Sequence, residues 1–137
     1  MISRKLLLLA TVALFCMIFI GSTQTAPLNK RQTVFADFAN GLTGEVTFVP
    51  GSYRLIVLFT RGFKDPNIEH YEFFVITKDR KKIDYTKDFI KNVIISSAGG
   101  TSPFQKDYKG KVSDFVGGTF FVYHNRKKFS EATIKSR

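Results

Sequence analysis

The chain has two imidazoles, His70 and His124, and imidazole is the side chain best suited to ligate a metal or move a proton near neutral pH. His70 stands in a polar stretch between Glu69 and Glu72 and reads as a solvated loop residue. His124 closes the apolar run Thr119–His124 and reads as structural. Ser96, Ser97 and Ser102 lie near Gly99 and Gly100, but no His–Asp pair stands at a recognisable spacing, so nucleophilic catalysis finds no support. Gly99–Gly100 is a turn and not a phosphate cradle, because no helix start follows it. What remains is charge: Lys78, Arg80, Lys81 and Lys82 form one basic run, and Arg126, Lys127 and Lys128 form another.

The elements that would position these residues are short strands. Leu42 to Phe48 alternates, with Leu42, Val46 and Phe48 on one face and Thr43, Glu45 and Thr47 on the other, the pattern of a half-buried strand. Pro50-Gly51-Ser52 makes a turn. Tyr53 to Phe59 is apolar on both faces apart from Arg54, which predicts cover on both sides or a protected edge. His70 to Thr77 is the next strand, ended by the charged run. Phe89 to Ser97 is rich in β-branched residues and predicts another strand. Thr101 to Tyr108 contains Pro103 and belongs at a sheet edge. Gly110 to Gly117 is irregular, Thr119 to His124 is strongly strand-like, and Phe129 to Lys135 closes the chain. No stretch carries a helical period, so the expectation is an all-β, antiparallel Greek-key sandwich or barrel of about seven or eight strands.

The N-terminus has the layout of a secretory signal: Arg4 and Lys5, an apolar run from Leu6 to Ile20, then small and polar residues. As a helix that run is roughly 22 Å long, short for a hydrocarbon core of about 30 Å. Residues 1–25 are read as a signal peptide, 26–31 as a short propeptide or linker, and 32–137 as the domain, giving a secreted, extracellular protein without a transmembrane anchor. Lys30-Arg31 resembles a kexin-type processing site that would leave Gln32 as the new terminus; an ordinary solvated pair is the other reading. The net charge is +10, and without Arg4, Lys5, Lys30 and Arg31 it is about +6. The single cysteine, Cys16, falls in the signal, so the phenylalanines must supply the stability that disulfides would otherwise lend; the sequence has 15, all but Phe15 and Phe19 beyond the signal. Each one buried contributes about 1.5–3 kcal/mol.

The order of segments resembles the copper/zinc superoxide dismutase family, a Greek-key β-barrel. Gly44-Glu45-Val46-Thr47-Phe48 is similar to its Gly-x-Val-x-Phe strand, and Gly62-Phe63-Lys64-Asp65-Pro66 to its Gly-Leu-x-Pro-Gly loop. Tyr71-Glu72-Phe73-Phe74-Val75-Ile76 falls where that family has His-Gly-Phe-His-Val-His. Val116 to His124 resembles Ile-Ile-Gly-Arg-x-x-Val-Val-His, and Lys128 to Ile134 the closing Arg-Leu-Ala-Cys-Gly-Val-Ile. The resemblance places His124 on a copper-ligand position and Asp88 on a zinc-ligand one. It puts Phe74 and Ile76, which cannot ligate, where two imidazoles belong, so they are expected to fill a core. The metal-binding loop shrinks to Thr77–Lys87, the guiding arginine becomes Lys128, and Glu131 replaces a disulfide cysteine.

These losses imply a non-enzymatic scaffold with no cofactor and no metal, in which His124 and Asp88 are vestigial. On the family's layout the two basic runs would meet at one end of the barrel. Lys78, Arg80, Lys81, Lys82, Arg126, Lys127 and Lys128 would then form a rim for an extracellular polyanion, an anionic glycan or lipid headgroup, or a cell-surface protein, and not for nucleic acid. Two other functions fit the sequence: a residual copper-dependent dismutase using His124, His70 and Asp88, and a secreted sandwich that holds a small apolar ligand in its Phe-rich interior.

Overall fold

Two-residue alternation governs the first three strands, as the computed structural model shows for the residues it describes, 33–137. The expected signal peptide 1–25, the expected propeptide or linker 26–31 and the Lys30-Arg31 pair lie outside the described residues. β1 (Val34–Phe38) turns Val34, Ala36 and Phe38 inward, β2 (Thr43–Val49) turns in Val46 and Phe48, and β3 (Tyr53–Arg61) turns in Tyr53, Leu55, Val57 and Phe59. These strands form an antiparallel meander. Only one face of β3 is covered, Leu58 on the other being 44% exposed, and β3 lies inside its sheet, so neither the expected double cover nor the alternative of a protected edge is found.

β4 (Tyr71–Ile76), β5 (Lys82–Asp84), β7 (Thr119–His124) and β8 (Lys127–Thr133) make a second sheet in the order β5-β4-β7-β8. The first sheet runs β6-β3-β2-β1-β9, with β6 (Phe104–Tyr108) and β9 (Lys135–Ser136) at its edges. The edge position expected from Pro103 is therefore observed. All named pairings are antiparallel, and the nine strands form a two-sheet sandwich and not a closed barrel. Short one-turn helices precede β4 (Ile68–His70) and β7 (Val112–Phe115). Among the described residues no helix is long and apolar enough to cross a membrane.

The expected strand Phe89–Ser97 does not form: its first residues, Phe89–Asn92, belong to a helix, α1, which spans Thr86–Asn92. Tyr85, Phe89 and Val93 recur every four residues and are all at most 4% exposed, a helical stripe docked on the core. The β-branched residues that suggested a strand lie just past its end, where Ile94 is 74% exposed and only Ile95 forms a bridge, to Thr101.

Between the sheets, aromatic rings pack on one another. Phe73 stacks on Phe89 at 4.4 Å, Phe48 on Phe115 at 4.6 Å, and Phe38 meets Phe59 edge-on at 5.2 Å. Such pairs add about 0.5–1.5 kcal/mol each beyond the area they bury. Phe74 departs from expectation: it is 6% exposed but lies outside the core cluster, on the outer face of its sheet. There it packs against Phe121 at 5.4 Å and Tyr123 at 5.0 Å, under the Lys82 ammonium at 4.5 Å. Ile76, two residues on along β4, shares that face and is half-buried.

The last strands join the sheets. Between β8 and β9, Ile134 donates to Gly118 O and accepts from Gly117 N, both at 2.9 Å. Arg137 N then donates to Thr33 O at 3.0 Å.

Candidate functional site

The register of β4 and β7 decides which loops can meet. Tyr71 pairs with His124 and Ile76 with Thr119, so the turn that leaves β4 and the turn that leaves β7 lie at opposite ends of the sheet. Six residues of strand separate them, roughly 17 Å at ~3.4 Å per residue. The basic runs expected to share a rim therefore stay apart: Lys78, Arg80, Lys81 and Lys82 are at one end, and Arg126, Lys127 and Lys128 at the other. Both connections are short, so neither crosses the face between them. Lys128 is engaged with Glu131 at 3.0 Å, and Lys82 covers Phe74.

At the first end, Lys78 and Lys81 are joined by Lys109 and Lys111 from the connection between β6 and β7. The four lysines line an open cleft of about 680 Å³ together with Asp79 and Asp114. Its apolar lining includes Tyr53, Ile83, Phe115 and Val116. Among the described residues none of the four ammonium groups has a carboxylate within 4.0 Å. Asp79 accepts a hydrogen bond from Thr77 Oγ1, which holds its carboxyl below the usual range, with nearby Lys81 adding to the effect. Beneath the cleft the Tyr53 and Tyr85 hydroxyls share a buried hydrogen bond of 2.9 Å. Burial pushes both phenols up, so they stay neutral. Lys109 stands just before, and Lys111 within, the stretch Gly110 to Gly117 read as irregular; their sequence signal was two lysines astride a glycine, with nothing to tie them to Lys78.

The opposite end gathers both histidines. His70 Nδ1 donates to Asp65 Oδ2 at 2.5 Å, and His124 Nε2 donates to the same oxygen at 2.9 Å. Asp65 Oδ1 accepts from Asn67 N at 3.0 Å. These bonds, that from His124 foremost, then Asn67 N and His70, hold the Asp65 carboxyl far below the usual carboxylate range. Its backbone is fixed as well, since Tyr71 Oη donates to Asp65 O at 3.1 Å. The His124 ring lies against Tyr71 with centroids 4.6 Å apart. The turn after it is a two-residue hairpin in which Asn125 and Arg126 both take positive φ, 50° and 66°. Asn125 N donates to His70 O at 2.9 Å, tying the two histidine-bearing segments together. The ligating atoms of Asp65, His70 and His124 all lie within 4.8 Å of one another.

Asp88 takes no part in this group. Its carboxylate accepts from Tyr108 Oη at 2.5 Å and Lys106 Nζ at 2.9 Å, which together lower its pKa. The residues do not fit the copper and zinc pair that the dismutase resemblance implies. Phe74 and Ile76 offer no donor atom, His124 faces Asp65 and Tyr71 while Phe74 packs on Tyr123, and Asp88 is committed to Tyr108 and Lys106. Comparison with known proteins returns no matching family model, no matching curated relative and no matching solved structure.

Proposed function

We propose that the chain is a secreted, non-enzymatic binding module on a superoxide-dismutase-like scaffold, and that it takes an extracellular anionic glycan in the lysine-lined cleft. The scaffold reading is supported by the strand order. The chain crosses between sheets after β3, after β5, after β6 and after β8, so its connections join consecutive strands that are not neighbours in a sheet, as Greek-key topologies require.

The observation that carries the binding reading is the set Lys78, Lys81, Lys109 and Lys111 around one cleft, without ion-pair partners among the described residues. Like charges facing a common space repel until an anion neutralises them, and a concave wall focuses their field on that space. A lipid surface presents a plane of headgroups, which a recess matches poorly. An anionic sugar chain brings discrete charged groups together with ring faces that Tyr53, Phe115 and Ile83 can contact. The rim expected at the junction of two basic runs is thereby replaced by a cleft built from one of them and a segment of the β6–β7 connection.

Retention on a sulfated-polysaccharide column tests this, because exposed charge contacts weaken as salt rises. The double variants K78E/K81E and K109E/K111E should each elute at clearly lower salt than the wild type. R126E/K127E, an equal change in net charge at the other end, should elute much closer to the wild type. Equal shifts for all three would reduce the effect to overall charge and overturn the cleft.

A further inference from the structure

We propose that Asp65, His70 and His124 form a binding site for one divalent transition-metal ion of the Zn2+ or Cu2+ type, independent of the lysine cleft. The chain contains two histidines, 54 positions apart in sequence, and both ring nitrogens meet the same carboxylate oxygen, at 2.5 and 2.9 Å. Two imidazoles and one carboxylate are a donor set that borderline-soft ions favour, with positions left for water or an outside ligand.

The geometry needs little adjustment. Donors about 2.0–2.2 Å from a four-coordinate ion sit roughly 3.4 Å from each other, so the present contacts need to open by less than ~1 Å. His70 is the side chain free to supply that movement, being 48% exposed against 31% for His124 and 24% for Asp65. The other two are held. Asp65 is fixed through Asn67 N and Tyr71 Oη, and His124 by Tyr71 and the tight Asn125-Arg126 turn. The second nitrogen of His70, Nε2, accepts from Asn67 Nδ2 at 3.4 Å in the metal-free protein, a long contact easily given up when the ring moves. In the metal-free protein the two facing nitrogens carry the protons donated to Asp65; an ion would bind each ring through that nitrogen's lone pair, the proton moving by way of solvent to the ring's other nitrogen, so that both ligands are neutral imidazoles.

Two histidines make the test clean. Proton NMR of the full chain titrated with Zn2+ should shift the imidazole signals of both His70 and His124, with saturation at one equivalent, while Mg2+ leaves them unmoved. D65N and H70Q should each weaken Zn2+ binding at least ~tenfold, with thermal melts confirming that the variants fold. The wild-type titration needs no variant. An imidazole that stays unshifted at one equivalent, or wild-type affinity in H70Q, would reduce the triad to a hydrogen-bonded tie between loops and overturn the site.

Discussion

At the end of the sandwich that carries Asp65, the side chains of Asp65, His70 and His124 each have a defined partner, and the backbone beneath is pinned by an aspartate turn, a tyrosine hydroxyl and a two-residue hairpin. At the lysine end, four ammonium groups stand around an open cleft without carboxylate partners among the described residues. One sheet, β5-β4-β7-β8, reaches both ends. The difference is between a site organised in advance for something small and one that leaves long side chains free to adapt to something larger. Preorganised donors bind with little reorganisation, whereas free lysines lose rotamer freedom when they engage.

Substitutions that act on one end alone sharpen this contrast. The largest effect is expected at Gly62, which has a φ of 118° and whose added Cβ would stand 2.2 Å from Gly41 O. Backbone strain of about 1–3 kcal/mol is joined there by a clash with backbone, so Gly62→Ala should cost about 3 kcal/mol or more in urea unfolding. It should also disturb the loop that presents Asp65, read as altered imidazole shifts. Wild-type stability would show that this loop is less fixed than its bonds indicate.

Under the lysine end, Tyr53→Phe leaves the buried Tyr85 hydroxyl without its partner and should cost about 1–2 kcal/mol, while Tyr53→Phe with Tyr85→Phe should cost less than the sum of the single changes. Additive losses would mean that the pair is not coupled.

The smallest effect lies at Asp88, between the two ends in chemistry as well as size. Its pKa is lowered in the folded state by Tyr108 and Lys106. The stabilisation it supplies is therefore present above the unfolded carboxylate value of about 3.9 and lost as pH falls through the lower folded value. Asp88→Asn should cost roughly 0.5–1 kcal/mol at neutral pH and flatten the acid limb of a stability–pH profile. An unchanged limb would remove Asp88 from that account.

Much of the sandwich is legible in the sequence because alternation is a local signal. Leu42, Val46 and Phe48 are all fully buried as their spacing predicts, and Pro103 marks the edge strand it precedes. The helix was hidden because Val93-Ile94-Ile95 reads as strand and obscures the stripe Tyr85, Phe89 and Val93, although that four-residue spacing was present. The misplacement of the basic runs has a different origin. Turns that follow two directly paired antiparallel strands must lie at opposite ends, yet which strands pair is a non-local matter that no window of sequence states. The meeting of His70 with His124 depends on the same register, Tyr71 opposite His124. Asp65 gave no signal beyond an Asp-Pro-Asn turn, and Lys109 with Lys111 none beyond their charge.

The bond from Arg137 N to Thr33 O brings the beginning and the end of the described chain to one point on the surface. A short linker could join them, and the ring so formed could be reopened at Gly51, where an added Cβ would meet nothing within 4 Å. Such a circular permutant should keep both sheets, because the opening falls in the turn between β2 and β3 and interrupts no strand. By the same geometry, cargo joined directly at Thr33 or after Arg137 would hang from a single attachment point.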